Sequence, residues 1–204
     1  MGTHNNVPAY SNNYKSGCNL NDDDWVQYLS KEETKLFKDV FTGCKWQCVE
    51  YARRWLIFNK KCTFKSINFA VHIYDIGYVE DLTQPNKYKN FISIPNEGTT
   101  APEVGDLVIF PQSRGQSFGH VAVVSNINFD LGYLDIVEQN YEDYWEHLEY
   151  SRRLLFIKYN NKYVLTEIPW SENILKTYSD KLDNIITRYK SQVVGFKRIT
   201  EKVI

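Results

Sequence analysis

The sequence predicts an α+β domain, because segments with helical patterns come first and β-rich segments follow. The clearest helix covers residues 46–59, which contain no Gly or Pro and carry apolar side chains suited to a largely buried helix. Three short β-rich runs come later, at residues 106–111, 120–125 and 132–138. This order favours N-terminal helices packed on an antiparallel sheet.

The N-terminal segments are assigned from turn and helix signals. Residues 1–21 are polar and turn-like, although Val7, Pro8 and Tyr10 could anchor them to a core. The acidic residues 22–24 resemble the first turn of a helix, so one or two short helices are expected from there to Val40.

The remaining segments complete the α+β pattern. Residues 62–100 are mixed, with helix and loop expected around 68–76. Residues 154–159 and 162–166 flank Asn160-Asn161 and predict a β-hairpin. A helix is expected to begin at Ser171, and residues 192–200 are expected to close the chain as a strand.

Composition excludes several classes of protein. The 204 residues are 43% hydrophobic with a net charge of −1, which suits one globular domain and gives no sign of a nucleic-acid partner. Four cysteines are too few for a disulfide scaffold. No secretory signal or membrane-spanning run is visible, so a cytoplasmic protein is expected, or a secreted one if a leader was removed. The oligomeric state stays open.

Cys48 is the residue most indicative of chemistry. It lies in the first turn of the predicted helix, where unpaired backbone N–H groups and the helix dipole favour a thiolate. His120 begins one β-rich run, and Glu138 and Asn140 end the next. Antiparallel pairing would bring His120 close to Glu138 or Asn140. A helix-borne cysteine facing such a histidine is the arrangement of cysteine acyl transfer.

These residues also have ordinary structural interpretations. A cysteine in an apolar helix is usually a small buried hydrophobe. Cys44 could form a disulfide with Cys48 as a redox switch, or be a spare small residue in a loop. Since neither cysteine has a nearby pair of histidines, no metal site is expected, and no cofactor is expected either.

One long stretch resembles a known family. Residues 41–55, FTGCKWQCVEYARRW, are similar to the amidase domain of glutathionylspermidine synthetase/amidase and trypanothione synthetase. That domain belongs to the CHAP group, the cysteine, histidine-dependent amidohydrolases/peptidases. Shorter matches follow in the same order at Val7–Ser11, Pro102–Leu107, Gly119–Val123 and Glu138–Asn140. The resemblance implies a papain-like CHAP fold of the NlpC/P60 type.

The resemblance also implies roles for individual residues. Cys48 would be the nucleophile, His120 its base and Glu138 the group that orients His120. The implied substrate contacts are Gln47, Arg53, Ile67, Asn68, Phe69, Ala70 and Asn140. If Arg53 points into the cleft, it could pair with a substrate carboxylate such as that of a γ-glutamyl group. Otherwise Arg53 is solvated or structurally paired, a description that fits Arg54 better.

The implied reaction is hydrolysis of an amide to a glycine carbonyl through a thioester, cleaving glutathionylspermidine to glutathione and spermidine. A second hypothesis is a CHAP peptidoglycan endopeptidase or amidase of the D-alanyl-glycyl type, and a third is an inactive binding module. The partner would be a small thiol–polyamine conjugate or a glycyl peptide, with no nucleic acid and no membrane.

Two further expectations concern the binding site for the polyamine and the number of domains. A polyamine would need an acidic patch, for which the candidates are Glu142, Asp143, Glu146 and Glu149. The bifunctional relatives carry an ATP-grasp synthetase domain after the amidase. Because no phosphate-cradling Gly-rich loop is present, residues 1–204 are expected to form a single amidase domain without a synthetase domain.

Overall fold

The computed structural model describes residues 1–12, 23–25, 40–174 and 182–203. Over these residues the main feature is an antiparallel sheet of nine strands, joined by two two-stranded sheets, β1–β2 and β3–β4. The strands are β1 (Thr3–His4), β2 (Val7–Pro8), β3 (Asp23–Trp25), β4 (Phe41–Cys44), β5 (Cys62–Thr63), β6 (Tyr78–Asp81), β7 (Tyr88–Pro95), β8 (Leu107–Phe110), β9 (His120–Asn128), β10 (Tyr133–Val137), β11 (Arg152–Tyr159), β12 (Lys162–Pro169) and β13 (Gly195–Val203). The helices are α1 (Cys48–Lys60) and α2 (Leu182–Tyr189), with 3₁₀ turns at Ala70–Asp75 and Lys190–Gln192.

The order of strands in the large sheet is β12-β11-β10-β9-β8-β13-β7-β6-β5. Strands β8 to β12 are neighbours in chain order, whereas β13 returns from the C-terminal part to lie between β8 and β7. The β9–β10 pairing carries a bulge, because Asp135 opposes Asn126 while Ile136 opposes Val124. The ends of β9 and β10 that follow this bulge carry His120 and Glu138.

The sheet separates two hydrophobic cores. Alternate side chains of β8 and β9 point to opposite faces. On one face α1 and β2 cover the strands, and the buried set includes Val7, Tyr51, Trp55, Leu56, Leu107, Ile109, Val121 and Val123. On the other face the set includes Val108, Phe110, Ala122, Val124, Ile136, Phe156 and Phe196. Each large apolar side chain buried in this way contributes about 1.5–3 kcal/mol.

Helix α1 confirms the predicted helix at 46–59 to within two residues. Gln47 is its N-cap, with extended backbone angles (φ −86°, ψ 161°), so Cys48 is the first residue with helical geometry. The helix ends where Lys61 adopts the left-handed conformation at φ 53°. No helix among the described residues is both long and apolar enough to cross a membrane.

The prediction of a helix starting in the acidic residues 22–24 is wrong for 23–25. These residues form β3, which pairs antiparallel with β4 so that Asp23 opposes Cys44 and Trp25 opposes Phe41. An acidic run favours a helix start only where the following N–H groups lack partners, and a β-ladder supplies partners instead. The rest of that prediction, at residue 22 and over 26–39, lies outside the described residues.

The other predicted segments agree better. The β-rich runs are β8, β9 and β10, and the hairpin is β11–β12, with Asn160 and Asn161 at φ 47° and 62° as a type I′ turn needs. The helix and loop expected at 68–76 is the 3₁₀ turn Ala70–Asp75. The predicted C-terminal helix is present as α2, although residues 175–181 lie outside the described part.

A buried lysine joins the 3₁₀ turn to the sheet. Lys197 of β13 is 1% exposed, and its Nζ donates to the carbonyl oxygens of Ile76 and Phe91, both at 2.6 Å, and to Ser93 Oγ at 2.8 Å. We expect Lys197→Met to lower the free energy of unfolding by about 2–4 kcal/mol, because it removes charged hydrogen bonds and leaves buried carbonyls unpaired.

Urea unfolding of both variants would measure this effect, with the exposed Lys162→Met as the control. A change of less than 1 kcal/mol for Lys197→Met would contradict the expectation, which rests on the desolvation of the unpaired carbonyls.

Candidate active site

The predicted site residues converge on one cleft of about 630 Å³, a size typical of small-molecule sites. It is lined by the start of α1, the loop before the 3₁₀ turn, the loop before β9 and the segment after β10. Of the predicted residues, the lining contains Gln47, Cys48, Arg53, Ile67, Asn68, Ala70, His120 and Asn140. Glu138 and Phe69 lie behind this lining, as described below.

Cys48 and His120 form a hydrogen-bonded pair at the floor of the cleft. Burial opposes ionisation of the thiol, but the charge and hydrogen bond of His120 and the backbone N–H groups of Val121 and Val49 lower the pKa of Cys48. In the same way burial acts against the imidazolium, yet Cys48 and Glu138 raise the pKa of His120 to about 9. The pair therefore favours a thiolate and an imidazolium at neutral pH.

Glu138 fixes the other side of the His120 ring. His120 Nε2 donates to Glu138 Oε2 at 2.7 Å, which leaves Nδ1 for the thiol. Arg152 donates to both carboxylate oxygens, Nε to Oε1 at 2.7 Å and Nη2 to Oε2 at 3.0 Å, and Ser151 Oγ donates to Oε1 at 2.9 Å. Although Glu138 is 2% exposed, these donors hold the pKa of its carboxyl far below its ordinary value.

Gln139, the residue after Glu138, ties the end of β10 to α1. Arg54 donates from Nε to Glu50 Oε1 at 2.6 Å and from Nη2 to Gln139 Oε1 at 3.0 Å. Gln139 Nε2 in turn donates to Glu50 Oε2 at 2.9 Å. Arg54 is thus the structurally paired arginine, as the sequence favoured.

Asn140, which follows Glu138 and Gln139, orients Gln47. Asn140 Nδ2 donates to Gln47 Oε1, and Asn12 Nδ2 donates to Asn140 Oδ1. Asn140 reaches this position with φ 60°, a left-handed conformation that asparagine tolerates. Because Gln47 Oε1 accepts from Asn140, its Nε2 is the end left over, and that nitrogen has no hydrogen-bond partner in the described part of the chain.

Arg53 lines the cleft but is 2% exposed. Its Nη2 donates to the Lys65 carbonyl at 2.8 Å and its Nη1 to the Thr42 carbonyl at 3.3 Å, while the guanidinium lies 4.6 Å from the centre of the Phe64 ring. Only Nε is without a partner among the described residues. Burial lowers the pKa of Arg53 to about 10.

The predicted loop 67–70 forms one wall of the cleft. Ile67, Asn68 and Ala70 contribute directly. Phe69 packs on the lining residue Phe118, with ring centres 5.4 Å apart. Phe118 is 57% exposed, which gives the rim of the cleft an apolar surface that the sequence did not point to.

Cys44 differs from both sequence interpretations. It is disulfide-bonded, while Cys48 and Cys62 are free thiols, so it is neither the partner of Cys48 nor a spare loop residue. Cys44 nevertheless lines the cleft, and its carbonyl accepts from the Gln47 N–H at 3.0 Å. Among the residues that the structure describes, no three His, Cys, Asp or Glu side chains converge as metal ligands.

Sequence reasoning also missed Arg152 and Asn12, which hold Glu138 and Asn140 by hydrogen bonds. Arg152 follows a serine at the start of a β-rich run, and Asn12 lies in a polar segment without a motif. Arg152 lies opposite Ile136, and Ile136 lies two residues before Glu138. This relation could be found only by knowing the register of β10 and β11.

The sheet, the helix-borne thiol and the strand-borne histidine place the chain in the class of cysteine amidases and hydrolases. The chain belongs to the CHAP domain family, whose pattern matches residues 39–140, half of the chain.

The curated relatives agree with this family. The chain is 31% identical to trypanothione synthetase of Crithidia fasciculata over 148 residues, covering 72% of this chain and 20% of that protein. It is 28% identical to the bifunctional glutathionylspermidine synthetase/amidase of Escherichia coli (strain K12) over 170 residues, covering 79% of this chain and 25% of that protein. The chain thus spans a quarter or less of the length of these relatives.

The ion pair predicts a definite pH dependence for thiol reactivity. Iodoacetamide should label Cys48 at pH values well below those needed for an ordinary thiol, because the lowered pKa keeps the thiolate present. With His120 in its predicted role as proton donor to the leaving amine, turnover should fall as pH rises through about 9, where His120 loses that proton.

Mass spectrometry of the labelled peptides, against pH, measures the first effect. Cys62 is an internal control, because burial raises its pKa to about 12 and it should stay unlabelled. Labelling of Cys48 only at the pH of a free thiol would argue against the ion pair.

Proposed function

We propose that this chain is a thiol amidohydrolase that cleaves glutathionylspermidine-like conjugates into glutathione and a polyamine. The observation that carries the proposal is the row Cys48–His120–Glu138, hydrogen-bonded from end to end beneath an open cleft. A thiol that served only as a small core residue would not need an imidazole held by a buried carboxylate.

The proposed reaction has two steps. In the first, the Cys48 thiolate attacks the carbonyl carbon of the amide, and the oxyanion faces the N–H of Cys48, which as the first helical residue has no acceptor within the helix. His120 gives its proton to the nitrogen as the C–N bond breaks, and the free amine departs. In the second, His120 takes a proton from water, which attacks the thioester, and the acid leaves as Cys48 is restored.

The substrate contacts follow from the lining of the cleft. Gln47 precedes the nucleophile and lines the cleft, and its Nε2, which has no partner within the described residues, would assist at the oxyanion. Asn68 and Asn140 offer polar contacts, whereas Ile67 and Ala70, with Phe69 behind Phe118, offer apolar ones. Arg53 would contribute through Nε, since its other donors are engaged on backbone carbonyls.

The polyamine would extend past Tyr141 towards carboxylates on the same segment. Glu142 and Glu146 line a smaller cavity next to Tyr141, which also contains Glu167. An amine chain carrying several positive charges would find opposite charge there.

A second candidate, hydrolysis of peptidoglycan, is favoured by one observation. The disulfide at Cys44 is typical of an oxidising compartment rather than of the cytoplasm, where thiols are kept reduced. An exported protein would meet cell-wall peptides rather than intracellular glutathione conjugates.

The deciding experiment offers both substrates to the intact protein. Glutathionylspermidine and a glycine-bridged muropeptide are incubated separately, and release of free amine is followed. Release from glutathionylspermidine supports the first proposal, and release from the muropeptide alone would replace it with the second. Release from neither would leave the inactive binding module as the better description.

A further inference from the structure

The structure assigns to Arg152 the task of positioning Glu138, so that an ionised carboxylate faces His120. This inference rests on the proposed roles of Cys48 and His120. Arg152 touches none of the reacting groups and acts through Glu138 alone.

The register of the sheet explains why Arg152 reaches Glu138. Arg152 is the first residue of β11 and opposes Ile136 of β10. Side chains two residues apart on a strand share a face, so Arg152 and Glu138 are diagonal neighbours. The planar guanidinium then meets both oxygens of the carboxylate, at 2.7 and 3.0 Å, in the fork geometry that a lysine cannot reproduce.

Aromatic rings hold the guanidinium in place. Its central carbon lies 3.4 Å from the centre of the Tyr141 ring and 5.4 Å from that of Phe110. Tyr141 and Phe110 also flank the imidazole, at 5.6 and 5.8 Å between ring centres from His120. The same two rings therefore pack against both His120 and Arg152.

Without Arg152 the carboxylate of Glu138 would be a buried charge with one partner fewer. Its pKa would rise because burial favours the neutral acid and Arg152 is the strongest opposing charge. A protonated or displaced Glu138 no longer stabilises the imidazolium, and the thiolate of Cys48 loses support in turn. The titratable groups that face this cluster are Cys48, Tyr51, Tyr141, Glu142 and Glu167.

The chain contains a matched control in the next residue. Arg153 makes the same kind of fork with Asp135, Nε to Oδ1 at 2.7 Å and Nη2 to Oδ2 at 2.9 Å. Because Arg153 follows Arg152 on the strand, it points to the opposite face and does not line the cleft. Arg152→Gln removes the fork to Glu138 together with a longer contact to Glu167 at 3.5 Å, whereas Arg153→Gln removes a similar fork to Asp135 away from the site.

The test measures the rate of Cys48 alkylation by iodoacetamide against pH, in the full chain, with near-ultraviolet circular dichroism as the check of folding. In Arg152→Gln the midpoint of the pH profile of Cys48 alkylation should rise by about one pH unit or more, which is a tenfold loss of thiolate at a given pH. Arg152→Lys should recover part of this shift, and Arg153→Gln should leave the midpoint unchanged. An unshifted midpoint in folded Arg152→Gln, or an equal shift in Arg153→Gln, would overturn the inference.

If Arg152→Gln does not fold, Arg152→Lys and Tyr141→Leu decide the question. Tyr141 is 37% exposed, so its loss is tolerated more easily. Both variants should raise the midpoint, and no rise in either would overturn the inference. Because alkylation needs no substrate, this result stays separate from the proposed function, which fails only if neither amide is hydrolysed.

Discussion

Replacement of Cys48, the proposed nucleophile, by alanine should abolish turnover of the amide substrate, with a loss of about 10⁴-fold or more, as expected when a nucleophile is removed from a cooperating set. The alanine fits the first turn of α1 and removes only one sulfur atom, so the fold should be retained. The measurement is release of free amine under saturating substrate, compared with the native protein.

Cys62→Ala is the matched control for this loss. Cys62 is also a free, fully buried thiol, but it belongs to β5 and has no histidine partner among the described residues. Its replacement should cost only stability, about 1 kcal/mol for a small core truncation, and leave the turnover of folded protein unchanged. Equal losses in both variants would show that Cys48 acts through packing rather than through its thiolate.

Glu138→Gln should have the second largest effect, on both activity and stability. The amide keeps an oxygen for His120 but loses the negative charge, so kcat/KM should fall by about 10²–10⁴-fold, as for other groups that orient a catalytic histidine. Arg152 would then be a buried cation without its main partner, which should lower the free energy of unfolding by about 3–5 kcal/mol.

Asp135→Asn separates these two effects. Asp135 is as buried as Glu138 and receives the fork of Arg153, but it accepts from Arg153 and Asn126, whereas Glu138 accepts from His120. Urea unfolding should show a loss of stability in both variants, whereas kinetics on folded protein should show a loss of activity only in Glu138→Gln. If Glu138→Gln retained native kcat/KM, the carboxylate would be structural.

The pH dependence of the free energy of unfolding should also reflect the charge of Glu138. Folding lowers the pKa of Glu138, so its contribution to stability is fully present above the pKa of the unfolded carboxyl and is lost progressively as pH falls from there through the lower folded pKa. Glu138→Gln should therefore remove part of the decline in stability that the native protein shows at acid pH.

The sequence predicted the parts of the site that depend on local pattern. Helix α1 and the position of Cys48 followed from a stretch without helix breakers. The strand order placed His120 beside Glu138 or Asn140, and only the family resemblance favoured Glu138. The large sheet was less accessible. In β7 the buried residues Phe91 and Ile94 are three apart, so the alternation of a half-buried strand is absent.

The residues that were missed depend on pairing across the sheet. Arg152 belongs to the site because β11 pairs with β10 in one register, and no motif in one strand reveals that register. Arg53 and Arg54 were distinguished only partly. Both are buried, since backbone carbonyls of neighbouring segments satisfy Arg53 in a way that side-chain patterns do not show.

The bulge between β9 and β10 determines which residue after β10 reaches each neighbour in the site. Glu138, Gln139 and Asn140 serve three different neighbours, namely His120, the Glu50–Arg54 pair and Gln47. A shift of one residue in the register of β10 would place the wrong side chain opposite each of these neighbours. Differences in substrate are therefore best sought in the loops around Asn68 and Phe118, where the loop length can change without altering the register of β10.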